Sequence, residues 1–384
     1  MDMPLYLVGG PVRDMLLGRT SADLDLVVEG DAIRLATEVA KDLAAKVVTH
    51  RRFGTATIKV DQQRLDLATA RHETYSRPGA LPKVTPGSIN EDLRRRDFTI
   101  NAMALGLSDP HTGEFLDPLA GAADLEQGLI RVMHPGSFRD DATRIFRAVR
   151  YEQRLSFRLE PDTQRYLTQA LDEGMLATVS ADRLRRELGL MLSEEQPLQA
   201  LMRVGNLGVL RSLYRPLGNA SWLNSFSQSR ERTQPLVLVA ALAYPLTPNE
   251  GEAFISRLNM PSRWAAVVRD LTQLKVLQDS LAAPQLSSSS LYHLLEGRSI
   301  ASISALLHLT PSPVTQERLT NYLEHLRYVK PVLRGKDLVS LGVPQGPKVG
   351  QVLRQLKDAR LEGRVTTRRE EADLALKCLA ARKG

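Results

Sequence analysis

The sequence predicts an α+β fold in which a small mixed-sheet head is followed by an all-helical neck, body and tail. In roughly the first 130 residues, short β-type runs alternate with helical runs. After Gly136, apolar residues recur at helical spacing with almost no β-type alternation. The predicted strands are too few for a doubly wound sheet, and 384 residues that are 43% hydrophobic can build more than one core.

The head is predicted to begin with two short strands that enclose a helix. Apolar runs predict strands at residues 5–8 and 24–28, with a helix over residues 11–17 between them. Asp31 follows as an N-cap, and apolar side chains at helical spacing extend the second helix to Ala45. Leu24 and Leu26 are expected to face the core of the sheet.

A hairpin and a long loop are predicted next. Two β-rich runs, residues 55–60 and 64–68, are separated by three polar residues, as in a hairpin. Residues 71–91 contain three prolines and two glycines within ten positions and show no sustained periodicity. They are predicted to form a loop of the length that is usually functional or disordered. The strand count favours a small sheet with its helices on one side.

Changes in residue pattern along the chain, from β-type to helical and at a Ser-rich joint, predict the domain boundaries. We expect the head to comprise residues 1–136, the neck 137–200, the body 201–286 and the tail 287–384. A run of four serines opens the tail, and its last member, Ser290, is a candidate N-cap.

Composition excludes several classes of protein. Cys378 is the only cysteine, so the chain has no internal disulfide, and its seven histidines form no cluster at zinc spacing. The start of the chain lacks the basic residues of a signal peptide, and its longest apolar run is too short to span a bilayer. We therefore expect a cytoplasmic protein with no membrane partner.

The basic charge is concentrated at one end of the chain. Residues 330–384 contain thirteen Lys and Arg against six Asp and Glu, a surplus that equals the net charge of +7. This pattern predicts a tail that faces a polyanion, with an ordinary solvated helical surface as the alternative.

The strongest candidates for metal-binding and phosphate-binding residues lie near the N-terminus. Asp23 and Asp25 are two apart on a predicted strand, so their carboxylates share one face. Two such charges repel each other unless a cation lies between them, and magnesium suits a pair of carboxylates that shares it with phosphates. Gly9 and Gly10 open the preceding helix and offer backbone N–H groups to a triphosphate, to which Arg13 adds a guanidinium.

Together these motifs resemble the polymerase β nucleotidyltransferase superfamily. Gly-Gly-Pro-Val-Arg-Asp-Met-Leu-Leu-Gly-Arg followed by Asp-Leu-Asp-Leu is similar to bacterial-type (class II) tRNA nucleotidyltransferases and the related bacterial poly(A) polymerases. Further similar stretches are residues 92–102, 138–153, 180–188 and 341–363. The resemblance therefore covers nearly the whole chain.

The resemblance implies roles for the carboxylates and the arginines of the head. Asp23 and Asp25 would bind two Mg²⁺ ions, one activating the RNA 3′-hydroxyl and the other holding the triphosphate. A third carboxylate usually comes from a later strand, and Asp66 is the candidate, with an ordinary strand aspartate as the alternative. The ribose and phosphates of the nucleotide would be bound by Arg95, Arg96 and Asp97.

The neck motif implies selection of a base without a nucleic-acid template. Asp141 and Arg144 are three apart on a predicted helix, hence on one face. The carboxylate would accept from the amino group of adenine or cytosine while the guanidinium donates beside it, and uracil and guanine would be rejected by unpaired polar groups. Arg147 and Arg150 would reach triphosphate or primer. Asp140 departs from the family's usual Glu at that position.

The implied function is transfer of CMP and AMP from CTP and ATP to the 3′ end of tRNA, or of the terminal AMP alone. CC-only relatives lack the flexible loop that residues 71–91 represent, which disfavours CC-only addition. Two other functions stay open: a poly(A) polymerase, disfavoured by the lack of an added basic extension, and a non-catalytic RNA-binding protein on the same scaffold. No DNA partner is expected.

Overall fold

The computed structural model describes residues 3–20, 23–60, 63–74, 83–218, 220–228 and 233–380. The chain forms two compact units, Met1–Ser221 and Trp222–Gly384. The first combines a sheet with helices and the second is helical in its described residues, so the predicted α+β class is confirmed.

Every strand among the described residues belongs to the first unit. In chain order they are β1 (Leu5–Val8), β2 (Asp23–Val28), β3 (Lys46–His50), β4 (Thr55–Val60), β5 (Gln63–Thr69), β6 (Arg71–Thr74), β7 (Lys83–Pro86), β8 (Ala104–Gly106), β9 (Phe115–Leu116), β10 (Leu129–Ile130) and β11 (Arg158–Leu159). Seven of them form one sheet in the spatial order β3-β4-β5-β2-β1-β8-β9. Within it, β2 and β5 are parallel and the other neighbours are antiparallel, so the sheet is mixed as predicted.

The first two helices of the first unit begin within one residue of their predicted starts. The helices of this unit are α1 (Gly10–Leu16), α2 (Ala32–Asp42), α3 (Ile89–Arg94), α4 (Gly121–Glu126), α5 (Ser137–Asp140), α6 (Arg144–Leu155), α7 (Pro161–Asp172), α8 (Ala181–Leu192), α9 (Pro197–Asn206) and α10 (Val209–Leu213). Asp31 caps α2 as expected, because its carboxylate accepts the N–H groups of Ile33 and Arg34 at 3.0 Å each.

Helices cover both faces of the sheet, which corrects the expectation of a single covered side. On one face, Val28 and Leu67 pack against the small residues of α2. On the other, Val8 and Val27 pack against Leu93 of α3. The second layer was not foreseen because α3 lies at the end of the stretch predicted to be a loop.

That stretch also contains strands, so the prediction of a continuous loop over residues 71–91 is wrong at both ends. β6 and β7 form an antiparallel pair with Arg71 opposite Pro86 and Thr74 opposite Lys83. Ser88 then starts α3 with a capping box, since its hydroxyl accepts from the Glu91 N–H while the Glu91 carboxylate accepts from the Ser88 N–H. The centre of the stretch, residues 75–82, lies outside the described residues.

The second unit is built from packed helices. They are α11 (Pro235–Leu242), α12 (Pro248–Arg257), α13 (Ser262–Val276), α14 (Gln278–Ala282), α15 (Ser288–Leu295), α16 (Ile300–Leu309), α17 (Pro313–Glu324), α18 (Gly335–Ser340), α19 (Pro347–Leu361) and α20 (Arg368–Ala380). Ser287, rather than the predicted Ser290, caps α15. The last three helices share a core around Leu338, Val352 and Leu356. No helix among the described residues is long and apolar enough to cross a membrane.

Candidate active site

A cavity of about 490 Å³ in the first unit brings most of the predicted site residues together. Its walls come from the sheet, from the segment after α3 and from helices α6 and α8. The lining residues are Gly10, Asp25, Glu73, Arg95, Arg96, Asp97, Asn101, Asp141, Thr143, Arg144, Arg147, Tyr151, Arg183, Arg186, Glu187 and Leu190. Residues from distant parts of the sequence therefore share one site.

Asp25 and Asp66 lie side by side at the sheet end of this site. They are register partners on the parallel strands β2 and β5, so their side chains share a face. Asp25 is exposed and lines the cavity. Asp66 accepts from the Thr57 hydroxyl at 2.5 Å and from Arg64 Nε at 2.8 Å. The third carboxylate proposed from sequence is thus next to Asp25, although it is not part of the cavity lining.

The strand that carries these acids departs from expectation at its start. Leu24 is 41% exposed and does not face the core, whereas Leu26 packs against the sheet's hydrophobic cluster. Leu24 is the second residue of β2, and it is not among the residues of the hydrophobic cluster that packs α2 against the sheet. Asp23 begins β2, but its side chain lies outside the described residues.

The donor chemistry at this end fits a divalent cation. Among the described side chains, which leave out that of Asp23, no three His, Cys, Asp or Glu residues are grouped closely enough to hold a metal. Asp25 and Asp66 nevertheless supply hard carboxylate oxygens from adjacent strands, the ligand type that Mg²⁺ prefers.

The Gly-Gly turn is shaped by close packing. Gly9 has a φ of +70°, which strains any other residue, and a Cβ there would lie 2.6 Å from Nη1 of Arg96, so a side chain would push that guanidinium from its position. Gly10 begins α1 and lines the cavity. Arg13, by contrast, is only 4% exposed and donates to Asn101 Oδ1 at 2.7 Å and to Asp14 Oδ1. The structure places Arg13 beneath the site instead of in its wall.

A buried carboxylate orients the two arginines after α3. Asp92 is fully buried and accepts from Arg95 Nη2 at 2.6 Å and from Arg96 Nη2 at 3.0 Å. Glu73 of β6 also accepts from Arg95, at 3.0 Å. Both arginines line the cavity, so their charge is held in place before any ligand binds. Arg95 and Arg96 follow Asp92 by three and four residues, a spacing that predicts ion pairs on one helix face and that sequence reasoning missed.

Asp97 is a structural partner of Arg147. Its Oδ2 accepts from Nε and Nη2 of Arg147 at 2.8 and 2.5 Å, and its Oδ1 accepts from the Phe98 N–H and from Asn101. Burial raises the pKa of this carboxyl, but Arg147 and Asn101 outweigh burial and lower the pKa to about 2. The pair joins the segment after α3 to the neck helix α6.

Asp141 does not lie on a helix, which corrects the helical prediction for residues 141–144. It has extended backbone, with φ −144° and ψ 99°, at the break between α5 and α6. The reason is its own side chain, because Oδ1 accepts the N–H of Thr143 at 3.0 Å and its hydroxyl at 2.7 Å, which competes with helical bonds. Oδ2 accepts from Nη2 of Arg183 at 2.6 Å. Asp141 and Arg144 still line the same cavity.

Arg144 and Arg150 are both buried but differ in position. Arg144 lines the cavity and donates to the backbone carbonyls of Ser137 and Arg95 at 3.4 and 3.1 Å. Arg150 does not line it, and its Nη1 donates to Glu187 at 3.3 Å. Of the three arginines predicted to line the site from α6, Arg144 and Arg147 therefore do so and Arg150 does not.

Tyr151 is a lining residue that sequence reasoning missed. Its ring lies within 5.3 to 5.8 Å of four guanidinium groups, those of Arg13, Arg147, Arg150 and Arg154. An aromatic face attracts such cations and holds them near one another. The sequence could have indicated this contact, because Arg147 and Tyr151 are four residues apart on a predicted helix and therefore lie on the same face.

Comparison with a family model is consistent with the geometry of the head. The model of the Poly A polymerase head domain matches residues 5–131. This range contains the sheet, the Gly-Gly turn and the arginines after α3.

Longer similarities extend into the helical part of the chain. The A-adding tRNA nucleotidyltransferase of Geobacter sulfurreducens is 34% identical over 98% of this chain, which spans 45% of that protein's length. The A-adding tRNA nucleotidyltransferase of Halalkalibacterium halodurans is 33% identical over 98% of this chain and 88% of its own length. This chain thus spans about half the length of the first relative and most of the second.

A solved structure shows the same architecture. The structure of the Thermotoga maritima CCA-adding enzyme complexed with tRNA-CCA is 30% identical and superposes with a TM-score of 0.81. The match covers 98% of this chain and 92% of that chain. Similarity on this scale extends through the head and the helical part alike.

Proposed function

This chain belongs to the tRNA nucleotidyltransferase family, and from that membership we propose that it transfers AMP from ATP to the 3′ end of tRNA. The observation that carries the proposal is one cavity that joins the carboxylate strand, through Asp25, to the base-reading pair Asp141 and Arg144. The two relatives described above are both named as A-adding enzymes, which supports AMP as the group transferred.

The reaction would be an in-line displacement. The 3′-hydroxyl of tRNA loses its proton to water and its oxygen attacks the α-phosphorus of ATP. A new phosphodiester forms as the bond from the α-phosphorus to the oxygen that bridges to the β-phosphorus breaks, and pyrophosphate leaves. When bound, magnesium would supply Lewis-acid activation and neutralise charge on the triphosphate, and Asp23, Asp25 and Asp66 would hold it. Arg95 and Arg96, already oriented by Asp92, would bind the phosphate oxygens through charge-assisted hydrogen bonds.

Selection of the base would rest on Asp141 and Arg144. Each oxygen of Asp141 has two lone pairs, and Thr143 uses both of those on Oδ1 through its N–H and its hydroxyl, whereas Arg183 donates to Oδ2. Oδ2 is therefore the oxygen that would accept from the amino group of adenine or cytosine. Arg144 donates beside it. A carbonyl of uracil or guanine facing Asp141 would leave two acceptors opposed and unpaired, which costs about 1 to 3 kcal/mol.

We assign supporting roles to the rest of the chain. Asp97 and Arg147 fix the head against the neck, and Arg13 and Arg150 position Tyr151 and α8 without touching the nucleotide. The basic tail, residues 287–384 in our division, would bind tRNA through phosphate contacts and shape.

Full addition of CCA is the second candidate. It is favoured by the similarity to the Thermotoga maritima CCA-adding enzyme over almost the whole chain. The amino groups of cytosine and adenine are both donors, so the Asp141 and Arg144 pair alone admits either base. An enzyme that adds full CCA and one that adds only the terminal A would therefore differ in which tRNA 3′ ends they accept as substrates.

A substrate panel separates these functions. The purified protein is given magnesium and tRNA that lacks the terminal CCA, ends in one C, or ends in CC, with each nucleoside triphosphate separately. An A-adding enzyme incorporates one AMP on tRNA ending in CC and nothing on the shorter ends. Incorporation of CMP on the shorter ends would support full CCA addition, a ladder of AMP would support a poly(A) polymerase, and tRNA binding without incorporation would support a non-catalytic RNA-binding protein.

A further inference from the structure

One arginine of the cavity is not used by the protein itself. Six arginines line the cavity, and five of them donate to carboxylates or backbone carbonyls: Arg95, Arg96, Arg144, Arg147 and Arg183. The sixth, Arg186, is exposed, and its side chain makes no hydrogen bond or ion pair within the part of the chain that the structure describes. Its guanidinium is therefore available to a ligand.

Arg186 lies on a face of α8 that looks into the cavity. Arg183, Arg186, Glu187 and Leu190 all line it, and their spacing of three, four and seven residues places them on one side of a helix. Arg183 is at the base-reading end because it binds Asp141. At ~1.5 Å per residue, Leu190 lies about 10 Å farther along the helix axis.

Leu190 gives this far end an apolar surface. It is 40% exposed in a cavity whose other lining residues are almost all polar. In the proposed function, a nucleoside triphosphate would have its base at Asp141 and its phosphates toward Asp25, so it would leave Leu190 uncovered. An RNA 3′ end offers both a phosphodiester for Arg186 and the flat face of a base for Leu190.

Ion pairs connect α8, and the segment that follows it, to α6. Arg150 and Arg154 of α6 pair with Glu187 and Glu194 respectively. The Arg150 pair is buried, and the Arg183 pair with Asp141 fixes the other end of the helix. A surface held in this way can measure the length of an RNA end, since a shorter end would not reach both Arg186 and the attack position.

We propose that Arg186 and Leu190 form the binding surface for the last nucleotide of the RNA that is extended. Arg186 binds the phosphodiester of that nucleotide, and Leu190 packs against its base. This inference rests on the proposed function and adds the residues that read the RNA end. The inference predicts that Arg186 and Leu190 make the protein bind tRNA ending in CC more tightly than tRNA that lacks the terminal CCA.

The first test is binding without catalysis. Fluorescence anisotropy measures the Kd of tRNA ending in CC and of tRNA lacking CCA for the full-length protein and for Arg186→Ala. The wild type should bind the CC end more tightly, and Arg186→Ala should remove that preference by weakening binding of the CC end alone roughly tenfold. Because no nucleotide is added, this result does not depend on which triphosphate the enzyme uses.

The second test uses kinetics and a matched control. Arg186→Ala should raise the KM for tRNA roughly tenfold and Leu190→Ser about fivefold, with the KM for ATP unchanged. Arg185→Ala is the control, because Arg185 is on the same helix, pairs with Asp182 and does not line the cavity. A rise in the KM for ATP with Arg186→Ala, or an equal effect of Arg185→Ala on tRNA binding, would overturn the proposal.

Discussion

Arg183 donates to Oδ2 of Asp141 at 2.6 Å, while Thr143 occupies the other carboxylate oxygen. The carboxylate proposed to read the base is therefore held from two sides before any nucleotide binds. An acceptor fixed in this way presents the remaining acceptor capacity of Oδ2 in one direction, which is the condition for telling an amino group from a carbonyl.

Replacing Asp141 tests this assignment. Asp141→Asn places an amide N–H donor where only an acceptor stood, so the side chain can now pair with the carbonyl of uracil. The rate with ATP should fall roughly ten- to hundredfold, and the ratio of AMP to UMP incorporation on tRNA ending in CC should fall with it. A fall in rate with an unchanged ratio would show that Asp141 only supports the start of α6.

The partner of Asp141 gives a separate expectation. Arg183→Met removes the donor to Oδ2 but keeps much of the side-chain volume, so Asp141 keeps its charge and is held through Thr143 alone. We expect selectivity for ATP over UTP to fall about fivefold while the affinity for tRNA is unchanged. Arg185→Met provides the comparison on the same helix, and it should leave the selectivity as it is.

The Asp97 and Arg147 pair predicts a pH dependence of stability. The pKa of Asp97 falls from 3.8 to about 2 on folding, so its ionised form stabilises the fold above pH 4 and this contribution disappears as the pH falls toward 2. The shift corresponds to about 2 kcal/mol. The difference in free energy of unfolding between wild type and Asp97→Asn, measured by urea denaturation, should be largest near pH 6 and should narrow between pH 4 and pH 2. A difference that stays constant over that range would contradict the assignment.

Exposed cations of the tail should control the salt dependence of tRNA binding. Lys336, Arg354 and Arg369 are exposed, and their side chains make no hydrogen bond or ion pair with any described residue. Replacing all three by Ala should reduce the slope of log Kd against log salt by about 0.7 to 0.9 for each phosphate that is no longer neutralised. Arg360 is the contrasting position, because it pairs with the buried Glu371 at 2.7 Å and Arg360→Ala should lower stability instead. An unchanged slope would identify the tail as an ordinary solvated surface.

The sequence predicts the head well wherever local rules determine the structure. β1 and β4 have the predicted bounds, and Asp31 caps α2, because alternation and capping depend on neighbouring residues. β3 was missed because Lys46–His50 is mostly exposed and shows no clean alternation. The pair β6 and β7 was missed because the prolines and glycines around it mask two strands of only four residues each.

The candidate site was predictable in its residues but not in their arrangement. Motifs identified Asp25, Arg95 and Arg144, and the structure brings them to one cavity. Local sequence could not show that Arg13 and Arg150 turn away from it, since both find partners far along the chain. Arg183 and Arg186 were missed for a similar reason, because their role depends on how α8 packs against α6.

The central claim, that the cavity joins metal-binding carboxylates to a base-reading pair for the extension of tRNA, is tested most directly by one incorporation measurement. Wild type and Asp25→Asn are incubated with magnesium, labelled ATP and tRNA ending in CC, and the RNA length is read on a gel. We predict that the wild type extends the RNA by one nucleotide, while Asp25→Asn binds the tRNA within a few fold as tightly and extends less than about a thousandth as much. Extension by Asp25→Asn at a rate near that of the wild type, or no extension by the wild type, would contradict the account.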